Sequence, residues 1–172
     1  KRMKDYQNIL SPMLSLKFSP NDTKDLKNTD RRIDINNIFS INRIGQSDVV
    51  EGGASLTYGA KFSKIDNFDK EIFTANIANI LRIDENEDLP RNSELGEKIS
   101  AVVGEIAYTP SNNMKIKYNF SLDSNLNDKN YELFTSEFKL NNFITSFDYL
   151  NENNTTNKES YIANRTGYNF NN

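Results

Sequence analysis

Asp84, Glu85, Glu87 and Asp88 crowd into five positions, and such a set of oxygen ligands could hold a divalent cation. Their spacing does not match an EF-hand loop, and solvated loop charge is the plainer reading. Arg31, Arg32 and Arg43 form a second candidate set, because guanidinium groups grip phosphates and other head-group anions in a bidentate fashion. The same arginines could instead pair with Asp30, Asp34 and Asp48 inside their own segment, and that pairing is the favoured reading. Ser55 sits among small residues in GASLTYG, but the stretch is not G-x-S-x-G. The chain has no His and no Cys, which removes Ser–His and Cys–His catalysis and the usual zinc ligands. No catalytic, cofactor-binding or metal residue is assigned, and no enzymatic activity is expected. The 24 acidic and 21 basic residues nearly cancel to a net charge of −3, without a Lys/Arg-rich run. Binding driven by neutralising nucleic-acid phosphates is therefore not expected.

The elements that would position these residues follow from period-two alternation, which puts apolar side chains on one face of a strand. In 113–123 the alternation is complete: Met114, Ile116, Tyr118, Phe120 and Leu122 lie between Lys115, Lys117, Asn119, Ser121 and Asp123. Similar patterns recur over 11–20, 54–63, 70–83 (broken by Asn79), 98–109, 130–140, 142–150 and, more weakly, 159–170. About eight strands result, many of ten residues or more, against roughly five to six in globular sheets. A tilted strand needs roughly nine to eleven residues to cross a bilayer. The connectors sort by length: 19–52 and 84–97 are long, 63–69, 109–113 and 141–142 are short, and 123–129 and 151–158 are intermediate. Long and short alternate along the chain, as they do in outer-membrane barrels with short periplasmic turns and longer outer loops. A mean hydropathy of −0.71 would suit a water-soluble protein, but barrel strands are apolar on only one face.

A wet lumen requires the opposite face to be polar. Lys115, Lys117 and Asn119 meet that requirement, as do Glu105 and Glu137; Glu132, Ser160 and Asn164 depend on which face their weaker strands present. Phe62, Tyr108, Tyr131, Phe143, Tyr149 and Tyr168 lie near strand ends, where an aromatic girdle would sit. The segment 29–44, TDRRIDINNIFSINRI, is too rich in Ile33, Ile35, Ile38, Phe39, Ile41 and Ile44 for a disordered loop. It is expected to fold back over or into a barrel mouth. The chain starts without Met or a signal-peptide core and stops directly behind a strand-like run, so it reads as a fragment. The expected fold is all-β: an antiparallel, up-and-down transmembrane section of about eight strands, an arc of a larger barrel, over residues 1–172. One long ordered loop, 19–52, is assigned to the cell exterior.

These stretches resemble the LptD family, also called organic solvent tolerance proteins. The carrying residues are Asp34, Asn37, Ile38, Phe39, Asn42, Arg43, Gly45 and Asp48, running into Glu51, Gly52, Gly53, Tyr58 and Gly59. ISAVVGEIAYTP adds a second match, with Ala101 where the family usually has Asp. The resemblance implies a large outer-membrane barrel that receives lipopolysaccharide from a periplasmic bridge and delivers it to the outer leaflet. It also implies an LptE-type lipoprotein plug in the lumen as partner. Two other readings stay open on the residues alone: a self-contained eight-stranded barrel with a structural or adhesin-like role, and a soluble β-sandwich binding module. Phe170, followed by two asparagines, is a poor closing strand for the first, and loop sorting disfavours the second.

Overall fold

A computed structural model describes residues 6–153 and 158–170 of the chain. Eight strands form one sheet, each hydrogen-bonded antiparallel to the next in chain order. They are β1 (Gln7–Ser19), β2 (Gly53–Ile65), β3 (Glu71–Arg82), β4 (Val102–Ser111), β5 (Met114–Leu122), β6 (Lys129–Leu140), β7 (Phe143–Asn153) and β8 (Lys158–Tyr168). The sheet is open, with β1 and β8 at its edges. Strand lengths run from 9 to 13 residues, so every strand reaches the length that a tilted membrane crossing needs.

The register joins the alternating patterns into two continuous faces. Leu16 stands opposite Leu56, which stands opposite Leu81. Ala75 faces Ile106, and Ile106 faces Tyr118, Phe134 and Tyr149 in succession across β5 to β7. A one-residue slip in any ladder would move that strand's apolar set to the other side; the register shifts only at strand ends, between Lys64 and Ile65, Tyr108 and Ser111, and Ser121 and Leu122. The other face carries Lys61, Asn76, Glu105 and Asn119 in one row, with the Lys117–Glu105 and Arg165–Asp148 ion pairs along it. On the apolar face Gly104 pairs with Phe120, whose ring occupies the space a Cβ at Gly104 would need. The flat ring thus covers a gap in the strand surface.

The register also settles residues that alternation left open. Glu132, Ser160 and Asn164 fall on the apolar face, opposite Phe120, Asn151 and Phe147 respectively. Glu132 is tied there to Tyr118 and Lys129. Tyr131, expected in the aromatic girdle, instead lies on the polar face opposite Ser121 and is buried. Phe62, Tyr108, Phe143 and Tyr168 do lie on the apolar face, at the ends of their strands nearest the short turns.

Connectors at one end are short: 66–70, 112–113 and 141–142. Asp66 closes the first by accepting hydrogen bonds from the backbone of Phe68 and Lys70, and Asn141 takes the left-handed conformation (φ 52°) that the last requires. At the other end stand 20–52, 83–101 and 123–128, while the remaining connector, 154–157, lies outside the described residues. The second of these runs longer than alternation suggested. Residues 98–101 meet β3 only through an isolated antiparallel bridge between Ile99 and Leu81. The ladder does not run on into β4, because the amide of Ala101 turns to the carbonyl of Ser93 in a 3-10 turn (Arg91–Ser93) while the Ser100 hydroxyl accepts from the Ile80 amide.

The main core lies between these loops and the sheet. Leu26, Ile33, Ile38, Ile44 and Val49 of the first loop and Leu89 and Leu95 of the second pack on Ala78, Ile80 and Val103. Those three strand residues belong to the polar face, so at this end the cap replaces water over that face. Ile35 and Phe39 pack against the cluster, whereas Ile41 is 90% exposed. Ile38→Ala should therefore cost the cap about 2–5 kcal/mol, and Ile41→Ala less than about 0.5 kcal/mol. Limited proteolysis within 20–52 measures both; equal cleavage of the two variants would contradict this packing.

Candidate functional site

The loop 20–52 builds its own scaffold before it touches the sheet. The Asp34 carboxylate accepts from the amides of Asn36 and Asn37 at 2.8 and 3.1 Å, and Asn37 returns the contact by accepting from the Asp34 amide at 3.0 Å. Asn37 also donates to the Arg32 carbonyl. Such local side-chain bonds are why Asp and Asn favour tight turns. The turn delivers Ile38 to the core and leaves Phe39 partly covered. Asn42 pins the next bend by accepting from the Gly45 amide and donating to the Gln46 carbonyl, with Gly45 at φ +75°.

Arg43 then points down into the sheet. Its Nε and Nη2 donate to the two oxygens of Glu51 at 2.6 and 2.5 Å, the two-pronged geometry that suits guanidinium and carboxylate. Nη2 also reaches Ser55 Oγ, and Nη1 donates to Thr57 Oγ1 and the Ile38 carbonyl. All five N–H donors of the group are thereby engaged. Glu51 is equally saturated, because Arg82 donates to one of its oxygens and Lys17 to the other. Arg82 further holds the Gly52 carbonyl, and Lys17 the Ile41 carbonyl. One buried carboxylate thus joins the loop to β1 through Lys17, to β2 beside Ser55 and Thr57, and to β3 through Arg82. Burial alone would raise the Glu51 pKa, but the hydrogen bonds and charges of Arg43 and Lys17 overcome it and hold the carboxyl at about 2.

The glycines beside it answer to space and torsion. A Cβ on Gly52 would run into the carbonyl of Asn21, while its amide donates to Thr23, which the second loop's Asn86 also contacts. Gly53 turns the chain into β2 at φ +87° with Arg82 alongside. Gly59 lies further along β2, where Ala78 and the Ile77 carbonyl leave no room for a side chain. Tyr58 points to the apolar face, away from the cluster, and Asp48 is exposed and paired with Lys24, which lowers its pKa.

A second anchor sits at the loop's far side. The Arg32 guanidinium lies 3.6 Å over the Tyr131 ring and donates to Glu152 at 3.1 Å. The Ile33 amide bonds Ser93, and Asp30 accepts from Asn92, so the two long loops form one cap. The expected pairing of Arg43 and Arg32 with Asp30, Asp34 and Asp48 does not occur, because turn amides, an asparagine and a lysine already occupy those carboxylates. Glu51, Arg82, Lys17 and Tyr131 escaped notice as partners. Arg82, the one cation in β3, was the available signal. Ser55 serves as an acceptor for Arg43, and among the described residues no acidic cluster is arranged to hold a metal.

Removing the Glu51 charge should leave Arg43 and Arg82 buried without a counter-ion. Glu51→Gln is expected to cost about 3–5 kcal/mol of cap stability, read as faster proteolysis or amide exchange across 20–52. Because the folded pKa is depressed from 4.5 to about 2, the stabilisation is complete above about 4.5 and is lost as pH falls toward 2. Wild-type cap protection should drop through that window and the variant's should not. A pH-independent wild type would contradict the assigned role.

The family model for LptD, LPS transport system D, matches residues 1–171. No curated protein sequence matches the chain. The family match spans the strands, the cap and the buried ion cluster alike, and the chain belongs to the LptD family, outer-membrane proteins of lipopolysaccharide transport.

Proposed function

We propose that these residues form part of the wall and outer cap of an outer-membrane translocon. It receives lipopolysaccharide from the periplasm and assembles it into the outer leaflet, without catalysis. One observation carries the reading: eight long strands present one continuous apolar face and one polar face, and the long connectors fold onto the polar side at one end. A lipid-exposed barrel wall needs this asymmetry, with lipid outside and water or cargo inside. In this reading residues 1–172 belong to a single barrel domain, and loop 19–52 lies at the exterior. The polar face lines the lumen, where an LptE-type lipoprotein plug and the passing lipid would meet it. The periplasmic bridge hands its lipid to the opposite end, near the short turns. The family-motif residues from Asp34 to Gly59 then serve as the structural framework of the cap and its hinge into β2.

The faces can be tested by charge. In the full-length protein, Ile106→Arg on the apolar face should cost on the order of 2–4 kcal/mol in a bilayer. Asn119→Arg, one row away on the polar face, should cost far less. Folding titrations in lipid vesicles measure both, and equal costs would sink the assignment. Recovery of the full-length protein from cells in an aqueous fraction without detergent would do the same.

A further inference from the structure

Beside the cap lies a cavity of about 410 Å³, bordered by Asp30, Arg31, Arg32, Gly45 and Glu152 and reached from below by Arg43. Its charges are unevenly committed. Asp30 is taken by Asn92, Glu152 by Arg32, and Arg43 is consumed by Glu51. The Arg32 guanidinium is held in place from one side by Tyr131 and along one edge by Glu152, which leaves other N–H groups of its fork free to donate. Arg31 has no side-chain partner among the described residues, and its Nη1 lies 3.8 Å from where a Cβ on Gly45 would stand. Behind this wall a single carboxylate, Glu51, faces three cations, Lys17, Arg43 and Arg82. On the cavity's own rim Arg31, Arg32 and Arg43 stand against Asp30 and Glu152, three cations to two anions, and two neighbouring guanidiniums offer unused donors on an open cavity.

We propose that Arg31 and Arg32 form an anion site that takes a phosphate monoester carried on the sugar head of the transported lipid. The proposal rests on the lipopolysaccharide-transport reading above. Guanidinium forks match phosphate oxygens in geometry. A preoriented Arg32 with an unpaired Arg31 would hold such a group briefly at the cap's edge, on the polar side of the sheet. Free phosphate shares this chemistry, so the source must be separated by experiment.

The full-length protein in detergent, with its plug lipoprotein, is titrated with bisphosphorylated lipid A and with the same lipid after phosphatase treatment. Arg31→Gln is the informative variant, because the Arg31 side chain makes no hydrogen bond or ion pair with another described residue and the cap should keep its wild-type protease resistance. Lys24→Gln, a surface cation of the same loop paired with Asp48, is the control. The wild type should prefer the phosphorylated lipid, and Arg31→Gln should lose roughly tenfold of that preference, the weight of one charge-assisted contact. Binding of the dephosphorylated lipid should be the same in all three proteins. Unchanged preference in Arg31→Gln, or an equal loss in Lys24→Gln, would overturn the site. Inorganic phosphate that competes at concentrations where the lipid shows no preference would overturn the lipid as its source. If neither lipid binds the wild type, the transport reading itself fails.

Discussion

Glu51 is the point on which the rest of this structure turns. Taking a carboxylate out of water costs several kcal/mol, and the cost is recovered only when every lone pair finds a donor in good geometry. Here two arginines and a lysine supply those donors, and they come from the loop, from β1 and from β3. The loop can therefore leave the sheet only by exposing or orphaning several charges together. A purely apolar cap would slide; this one has a single registered position. That specificity explains why an ionic cluster stands where hydrophobic packing alone could have supplied stability.

The cluster constrains the backbone around it in turn. Glu51 must arrive beside β2 at the same moment as the chain turns into that strand. That leaves Gly52 against the Asn21 carbonyl with no room for a side chain and Gly53 in a left-handed conformation. The run E-G-G is the covalent expression of this geometry. On the other side, the Asp34–Asn37 turn and the Asn42–Gly45 bend set the distance over which Ile38 enters the core and Arg43 enters the cluster. The spacing from Asp34 to Gly53 thus follows from one carboxylate, two turns and one buried isoleucine.

The strands were legible because period-two alternation is a local property, and each of the eight regions carries its own copy of it. The two faces became certain only through the register, which depends on partners distant in sequence. Glu132 and Asn164 lie on the apolar face for that reason, and Tyr131 turns under the cap to receive Arg32. The end of the second long loop was misread because Ile99 and Ala101 alternate like a strand. Ile99 does bridge Leu81 of β3, but the Ala101 amide turns to Ser93 and ends the pairing there. The cap itself was legible from its isoleucines, all but Ile41. Its ion partners were not, since nearness in sequence suggested Asp30, Asp34 and Asp48, while the winning carboxylate combined burial with three converging cations.

The placement of the cap also sets what the polar face can do. That face carries spaced charges paired with neighbours, such as Lys117 with Glu105 and Arg165 with Asp148, beside an apolar row of Leu133, Leu150 and Tyr161 across β6 to β8. At the capped end, Ala78, Ile80 and Val103 interrupt it with an apolar patch that would be a liability if uncovered. The two long loops cover the patch and in doing so narrow the space beyond the sheet. Beyond the loops' rim the surface turns polar and cationic at Arg31 and Arg32. In the proposed translocon, a wall that is apolar outside and capped at one end by a registered loop would admit amphipathic cargo along its polar side. In that proposal the ion cluster that fixes the cap also sets where the polar side stays open.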